Sequence, residues 1–222
     1  MALPMLARAD IAPHFCDDTR YYYMPGIGRL FRRKVVHCID ALPAGETVLD
    51  VGYGMGVAFL ALARRFQHII GVDIHDHPHA VAESFAGTGI HCTTQQGSIF
   101  DLPLEDNSVD AAVAISLHEH LPEDRQRRAF QQVHRALKPG GCYVVGVPGV
   151  HGLMTLAFRS VGWRIELDHI CTHGKVLDTM KQVFDVDETD YWPFGLPKRF
   201  TGYVVARGWK RKDTASDTGE PS

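Results

Sequence analysis

"VLDVGYGMGVAFLALA", residues 48–63, joins a run with the character of a buried strand to an apolar helical run through glycines at 52, 54 and 56. Side chains missing in alternation at such a join mark a tight strand-to-helix turn with bare main chain. In an open α/β sheet this turn lies at the carboxyl end of the first strand, where ligands bind at the topological switch point. The first helical turn beyond it offers free N–H donors to an anionic group. Close packing of helix on strand also accounts for the glycines alone, so their meaning depends on the rest of the chain.

From Thr47 onward, short β-branched runs alternate with helical stretches. "TVLDV", "HIIGVDI", "GIHCTTQQ", "SVDAAVAIS" and "CYVVGVP" read as strands. "GVAFLALARRF", "PHAVAESFAG" and the proline-started, glycine-ended "PEDRQRRAFQQVHRALKPGG" read as the helices between them. Two late runs, "FDVDETDY" and "RFTGYVVARGW", predict a hairpin closed by the long loop "WPFGLPK". The reading is a doubly wound α/β fold: a seven-stranded, mainly parallel, Rossmann-like sheet with an antiparallel terminal hairpin.

Residues 47–208 form the predicted domain. Before it, 1–46 carries the amphipathic "RLFRRKVVHCIDAL" behind the aromatic "RYYYMPG", a predicted helical cap or lid. Within the domain, 148–183 breaks the alternation and reads as an acceptor-side insert, with "WRIEL" and a helix near "KVLDTMKQVF". The polar 209–222 is expected to be a disordered tail.

Composition excludes several classes. The chain has 222 residues and a formal net charge of −3, so no global basic field calls for nucleic acid. The clusters "RLFRRK" (29–34) and "RQRR" (125–128) read as solvated helix faces. Five scattered cysteines without a C-x-x-C pair fit reduced thiols rather than a disulfide scaffold or a zinc ribbon. "MALPMLARADIAPHF" is too broken for a secretory signal and no apolar run is long enough to span a bilayer, which points to a cytoplasmic protein. "HDHPH", "HEH" and "HICTH" each supply half of a metal site at most, so no metal is expected.

Asp73 ends "IIGVD" at the tip of the second strand, where an acid accepts both hydroxyls of a ribose. It also suits a helix N-cap. A dinucleotide fingerprint needs a small residue where Val57 stands, and the glycines instead follow D-x-G-x-G-x-G from Asp50 to Gly56. The spacing favours another nucleoside-containing cofactor.

These segments resemble the class I S-adenosylmethionine-dependent methyltransferases of the type 11-like kind. "VLDVGYGMG", "IIGVDI", "GSIFDLPLEDNSVDAAVAISLHEHLPED" and "ALKPGGCYVVGVP" match that family's motifs in order, over roughly Thr47 to Pro148. The resemblance implies S-adenosylmethionine as cofactor and S-adenosylhomocysteine as product. It implies that Gly52, Tyr53, Gly54 and Gly56 hold the methionine portion, with Asp50 near its ammonium group. Asp73 would bind the ribose and Ile74 one adenine face. Ser98, Ile99 and Phe100 would form the adenine turn, and Ile115 and Ser116 would line the pocket. Two departures stand out: Ser98 replaces a frequent acid, and Glu119–His120 replace a frequent histidine pair.

His118, Glu119 and His120 lie past the fourth strand, where an acceptor approaches, and are candidate bases beside a structural role. Tyr22 and Tyr23, with Tyr21, are candidate lid or substrate residues hinged at Pro25 and Gly26. "YWPFGLP" (191–197) suits an acceptor wall, a hairpin closure or a homodimer contact. The expected activity is methyl transfer by in-line displacement to a small-molecule acceptor, with no nucleic acid and no membrane span. The competing reading is a non-catalytic S-adenosylmethionine- or S-adenosylhomocysteine-binding regulatory or assembly protein.

Overall fold

A computed structural model describes residues 2–12, 16–149, 170–192 and 202–211. Residues 150–169 of the predicted insert (148–183), 193–198 of the predicted hairpin loop (192–198) and 212–222 of the predicted tail (209–222) fall outside the described residues.

Ahead of the sheet lie α1 (Cys16–Tyr23) and α2 (Ile27–Asp40). Then follow β1 (Gly45–Val51), α3 (Phe59–Leu62), β2 (Phe66–Asp73), α4 (Pro78–Phe85), β3 (Cys92–Gln96) and β4 (Val109–Ile115). The chain continues through α5 (Gln126–Ala136), β5 (Leu137–Pro148), α6 (His173–Lys181), β6 (Asp185–Trp192) and β7 (Tyr203–Trp209). The seven strands lie in the order β3-β2-β1-β4-β5-β7-β6. β7 runs antiparallel between β5 and β6, and β1 to β5 are parallel. The switch point is therefore between β1 and β4.

Period-2 alternation sorts the strand side chains into two cores. Val48, Ala111, Val113, Cys142, Val144, Tyr203 and Val205 face one way, onto Val35, Cys38 and Ile39 of α2, Phe59 and Leu62 of α3, and Val81 and Phe85 of α4. Leu49, Val51, Ala112, Ala114, Tyr143, Val145, Val204 and Ala206 face the other way, onto Phe130 and Val133 of α5 and Val176 and Met180 of α6. Strands buried on both faces need the near-continuous apolar runs seen here. The segment before β1 is thus built into the sandwich through α2, and Leu3, Leu6, Ile11 and Ala12 join the same core.

Two elements are shorter than the sequence pattern predicts. The "GVAFLALARRF" helix is reduced to α3, with Arg64 N–H bonded to Ala61 O and Arg65 N–H to Leu62 O. These tighter i+3 bonds end the helix because Phe66 must enter β2 opposite Gly45. The helix predicted to end at Gly140 stops at Ala136, since Pro139 cannot continue it and Leu137 pairs with Val109 at the start of β5. A 3₁₀ turn, Glu123–Arg125, precedes it.

Gly52, Gly54 and Gly56 all have positive φ, at 73°, 53° and 75°. A Cβ at Gly56 would lie 2.9 Å from both Phe59 and Phe85, and one at Gly52 would lie 3.0 Å from Leu117. At Gly54 a Cβ would meet nothing within 4 Å. Gly54→Ala then carries the backbone cost of about 1–2 kcal/mol, and Gly56→Ala adds overpacking of about 1–3 kcal/mol. Thermal unfolding is expected to show a clearly lower midpoint for Gly56→Ala than for Gly54→Ala.

Candidate functional site

The glycine turn is tied to the end of β2. Gly52 N–H donates to Val72 O at 2.8 Å, and Gly54 N–H donates to Asp73 Oδ2 at 2.8 Å. His75 holds the other side of the Gly54 residue: its Nε2 lies 3.0 Å from Gly54 O, and its Nδ1 accepts from His77 N–H at 3.2 Å. With Nδ1 used as an acceptor, the proton sits on Nε2 and is donated to the glycine carbonyl. Histidines that looked like half a metal site therefore brace the turn. Tyr53 turns inward, its ring 4.9 Å from His75 and 5.6 Å from Phe59. Its side chain is part of the core, which leaves only its main chain to face a ligand.

Asp50 lies beneath this turn and is buried. Burial, and secondarily the Asp73 carboxylate, push its carboxyl up from 3.8 to about 8. A cationic group placed nearby reverses that penalty. Asp73 also accepts from His75 N–H at 3.3 Å through Oδ1, so its half-buried carboxylate ties the glycine turn to the chain beyond β2. Ile74 is 75% exposed, a large apolar side chain next to a carboxylate and an open glycine. These features together fit a nucleoside with an amino-acid-like tail.

The turn expected to meet adenine is ordered by its own hydroxyl. Ser98 Oγ accepts from Phe100 N–H at 3.2 Å, and Asp101 N–H returns to Ser98 O at 3.0 Å. Ile99 is buried beneath the turn. Arg125 stands 4.3 Å over the Phe100 ring, and Arg128 Nε donates to Phe100 O at 2.8 Å. Two arginines of the cluster read as a solvated face thus hold this turn in place.

At the end of β4, Ile115 is half-buried and Ser116 takes a φ of 57°. A left-handed serine is a costly conformation and is concentrated at functional sites. Lys34 Nζ donates to Ser116 Oγ at 3.0 Å, and the Tyr203 hydroxyl lies 3.1 Å from the same oxygen. Lys34, also expected on a solvated face, instead points inward from α2. Burial lowers its pKa, and Glu119 opposes that shift.

The three candidate bases separate by environment. His118 is fully buried: it stacks 4.4 Å from Phe130 and bonds Gln126 Oε1 and the Tyr143 hydroxyl, both at 2.8 Å. Gln126 Nε2 donates to the His118 and Leu121 carbonyls, so Gln126 Oε1 accepts from Nδ1–H and Nε2 accepts from Tyr143. Every polar position of the ring is engaged on the far side of the sheet, and the structure places His118 in the core. Burial pulls its pKa down from 6.5 to about 4. His120 is half-exposed, with Nε2 3.9 Å from Glu119 Oε1. Glu119 is 2% exposed, on the Lys34 side, and its Oε2 has no hydrogen-bond partner among the described residues.

The two lid tyrosines also diverge. Tyr22 packs edge-on to Phe31 at 5.6 Å, and burial, with Cys38 and Asp50 nearby, raises its pKa. Tyr23 points away, donating to Leu6 O at 2.9 Å. Lys34 and Tyr203 were invisible to motif reading because α2 and β7 carry no motif of their own; topology alone brings them to Ser116.

Residues 48–141 match a family model described as a methyltransferase domain. The matched segment is a methyltransferase domain, and the chain has the class I methyltransferase fold. It is 27% identical over 198 residues to 24-methylenesterol C-methyltransferase 2 of Arabidopsis thaliana, covering 87% of this chain and 50% of that protein. It is 33% identical over 138 residues to the Arabidopsis tRNA (carboxymethyluridine(34)-5-O)-methyltransferase, covering 62% of this chain and 30% of that one. The chain thus spans half or less of the length of these relatives. In fold it is similar to the PH0226 protein of Pyrococcus horikoshii, with a TM-score of 0.68 at 16% identity over 88% of this chain and 99% of that one.

This methyltransferase fold carries opposed titrations. His118, depressed in the folded state, supplies stability above 6.5 that is lost as pH falls toward about 4. Asp50, raised in the folded state, supplies stability below 3.8 that is lost as pH rises through about 8. Where those windows overlap, from about 4 to 6.5, the two offset each other; above 6.5 the Asp50 loss continues to about 8, while the similar Glu119 loss ends near 7. Urea midpoints of the ligand-free protein are expected to decline from pH 6.5 to 8.5, and Asp50→Asn is expected to remove most of that decline.

Proposed function

We propose that this methyltransferase moves a methyl group from S-adenosylmethionine to a small-molecule acceptor, releasing S-adenosylhomocysteine. The observation that carries the reading is the open space over Gly54, set beside a buried Asp50 and a half-buried Asp73 that accepts from Gly54 N–H. Asp50 suits the ammonium of the amino-acid tail, and the main chain of Gly52, Tyr53, Gly54 and Gly56 suits its length. Asp73 is assigned to the ribose hydroxyls, Ile74 to an adenine face, and Ser98, Ile99 and Phe100 to the adenine edge. Ile115 and Ser116 would line the side toward the acceptor.

When bound, the cofactor supplies a methyl on a positively charged sulfur, already a good leaving group. The protein's share is to hold the acceptor in line and to keep water out. Tyr22, inward and close to Asp50, is suited to cover the tail, whereas Tyr23 serves to fix α1. Several observations support a small acceptor in a reducing, cytoplasmic setting. The net charge is −3, and the described cysteines, Cys38, Cys92, Cys142 and Cys171, are thiols. No helix among the described residues is long and apolar enough to cross a membrane.

Isothermal titration tests the reading. S-adenosylmethionine and S-adenosylhomocysteine are expected to bind, and Asp73→Ala to weaken both at least ~10-fold through loss of charge-assisted hydrogen bonds. No heat of binding for either molecule with the folded protein contradicts it.

A further inference from the structure

Glu119 presents a problem in physical chemistry. A buried carboxyl oxygen without a partner is costly, and such atoms are rare in native structures unless a ligand, water or chemical task accounts for them. Glu119 is nearly sealed from solvent and its Oε2 is unpartnered among the described residues. Its main chain cannot shift freely to find a partner, because Glu119 O accepts from Ile170 N–H at 2.8 Å and from Cys171 N–H at 3.0 Å.

Around it stand groups that favour a charge. Lys34 from α2 and the Ser116 hydroxyl both lower the Glu119 pKa against the dominant effect of burial, which raises it. Tyr203 from β7, Cys38 from α2 and His120 on its own turn are further titratable neighbours among the described residues. Ser116, with its left-handed backbone, bridges Lys34 and Tyr203. Gly146 beneath must stay bare, since a Cβ there would lie 2.5 Å from the Tyr203 hydroxyl. Lys34 and Ser116 are only half-buried, so the cluster meets the crevice at the end of β4.

The rim of this edge is apolar. The exposed large hydrophobic side chains among the described residues are Met24, Leu30, Ile74 and Ile170. Met24 precedes α2, Leu30 lies in its early turns, Ile74 follows β2, and Ile170 is bonded to Glu119. Lys34 reaching Ser116 orients α2 with its amino end at the sheet's carboxyl edge, so all four lie toward that edge.

We propose that Glu119 is the base for an apolar acceptor carrying one ionisable O–H or N–H, with Lys34 as a positioning residue that keeps the carboxylate charged. The inference rests on the methyltransferase reading of the same crevice. In the step, the acceptor's X–H bond breaks, an O–H bond forms on Glu119 Oε2, and the electron pair stays on the acceptor atom as the nucleophile. A thiolate acceptor would leave the carboxyl with nothing to do.

The test uses the full chain saturated with S-adenosylhomocysteine and labelled with ¹³C at glutamate side-chain carboxyls. The Glu119 signal is assigned by its loss in Glu119→Gln, and the probes are 4-ethylphenol and benzylamine. Glu119 is expected to titrate above the ordinary carboxylate range and to move higher in Lys34→Met, because a neighbouring cation is removed. At least one probe is expected to shift the signal and to bind at least ~10-fold more weakly to Glu119→Gln. Methyl transfer to that probe from S-adenosylmethionine is expected to fall ~100-fold or more in Glu119→Gln. In Lys34→Met the acid limb of its pH profile is expected to move to higher pH.

Binding of a probe with no response at Glu119 overturns the proposal. So does an ordinary Glu119 titration, or failure of both probes to bind. Calorimetry of S-adenosylhomocysteine on the same samples separates these results from failure of the methyltransferase reading, since Glu119 lies outside the proposed cofactor cradle.

Discussion

Gly54 is gripped from both sides, and the site depends on that grip. Its N–H is held by Asp73 and its C=O by His75, two groups at the end of the neighbouring strand. A residue with a φ of 53° and no side-chain contact would otherwise be the loosest point of the turn. The clamp fixes bare main chain beside the half-buried Asp73 carboxylate and the buried Asp50. Because β1 lies between β2 and β4, the crevice opens where the chain leaves β1 for one face of the sheet and β4 for the other.

The two faces divide the polar work. On the α5 side, His118, Gln126 and Tyr143 satisfy one another completely, and a buried network of that kind fixes the end of β4. On the α2 side, Lys34, Ser116, Glu119 and Tyr203 leave one acceptor atom unsatisfied. Adjacent residues of a single segment, His118 and Glu119, serve these opposite ends. The segment "SLHEH" therefore cannot be assigned one role, although its sequence reads as one cluster of candidate bases.

Legibility in the sequence followed locality. The strands and the antiparallel hairpin were readable because each rests on short-range periodicity. Asp50, Asp73 and the three glycines were readable because their spacing is local. The glycines nevertheless have three separate reasons: Gly52 yields to Leu117, Gly56 to Phe59 and Phe85, and Gly54 to open space. Helix ends were misjudged where a long-range pairing won, as when Leu137 joined β5 opposite Val109. Charge clusters misled most, since Lys34, Arg125 and Arg128 each turn inward or across to groups distant in sequence. Hydropathy assigns such residues to solvent; only the assembled sheet shows what they meet.

A bare, clamped turn flanked by two acids is the account's central feature, and a crystal structure with S-adenosylhomocysteine tests it most directly. The account predicts the ribose hydroxyls on the Asp73 carboxylate, the adenine against Ile74, and the amino-acid tail over Gly54 with its ammonium toward Asp50. A nucleoside bound elsewhere, with the space over Gly54 filled by the protein's own side chains, would contradict it.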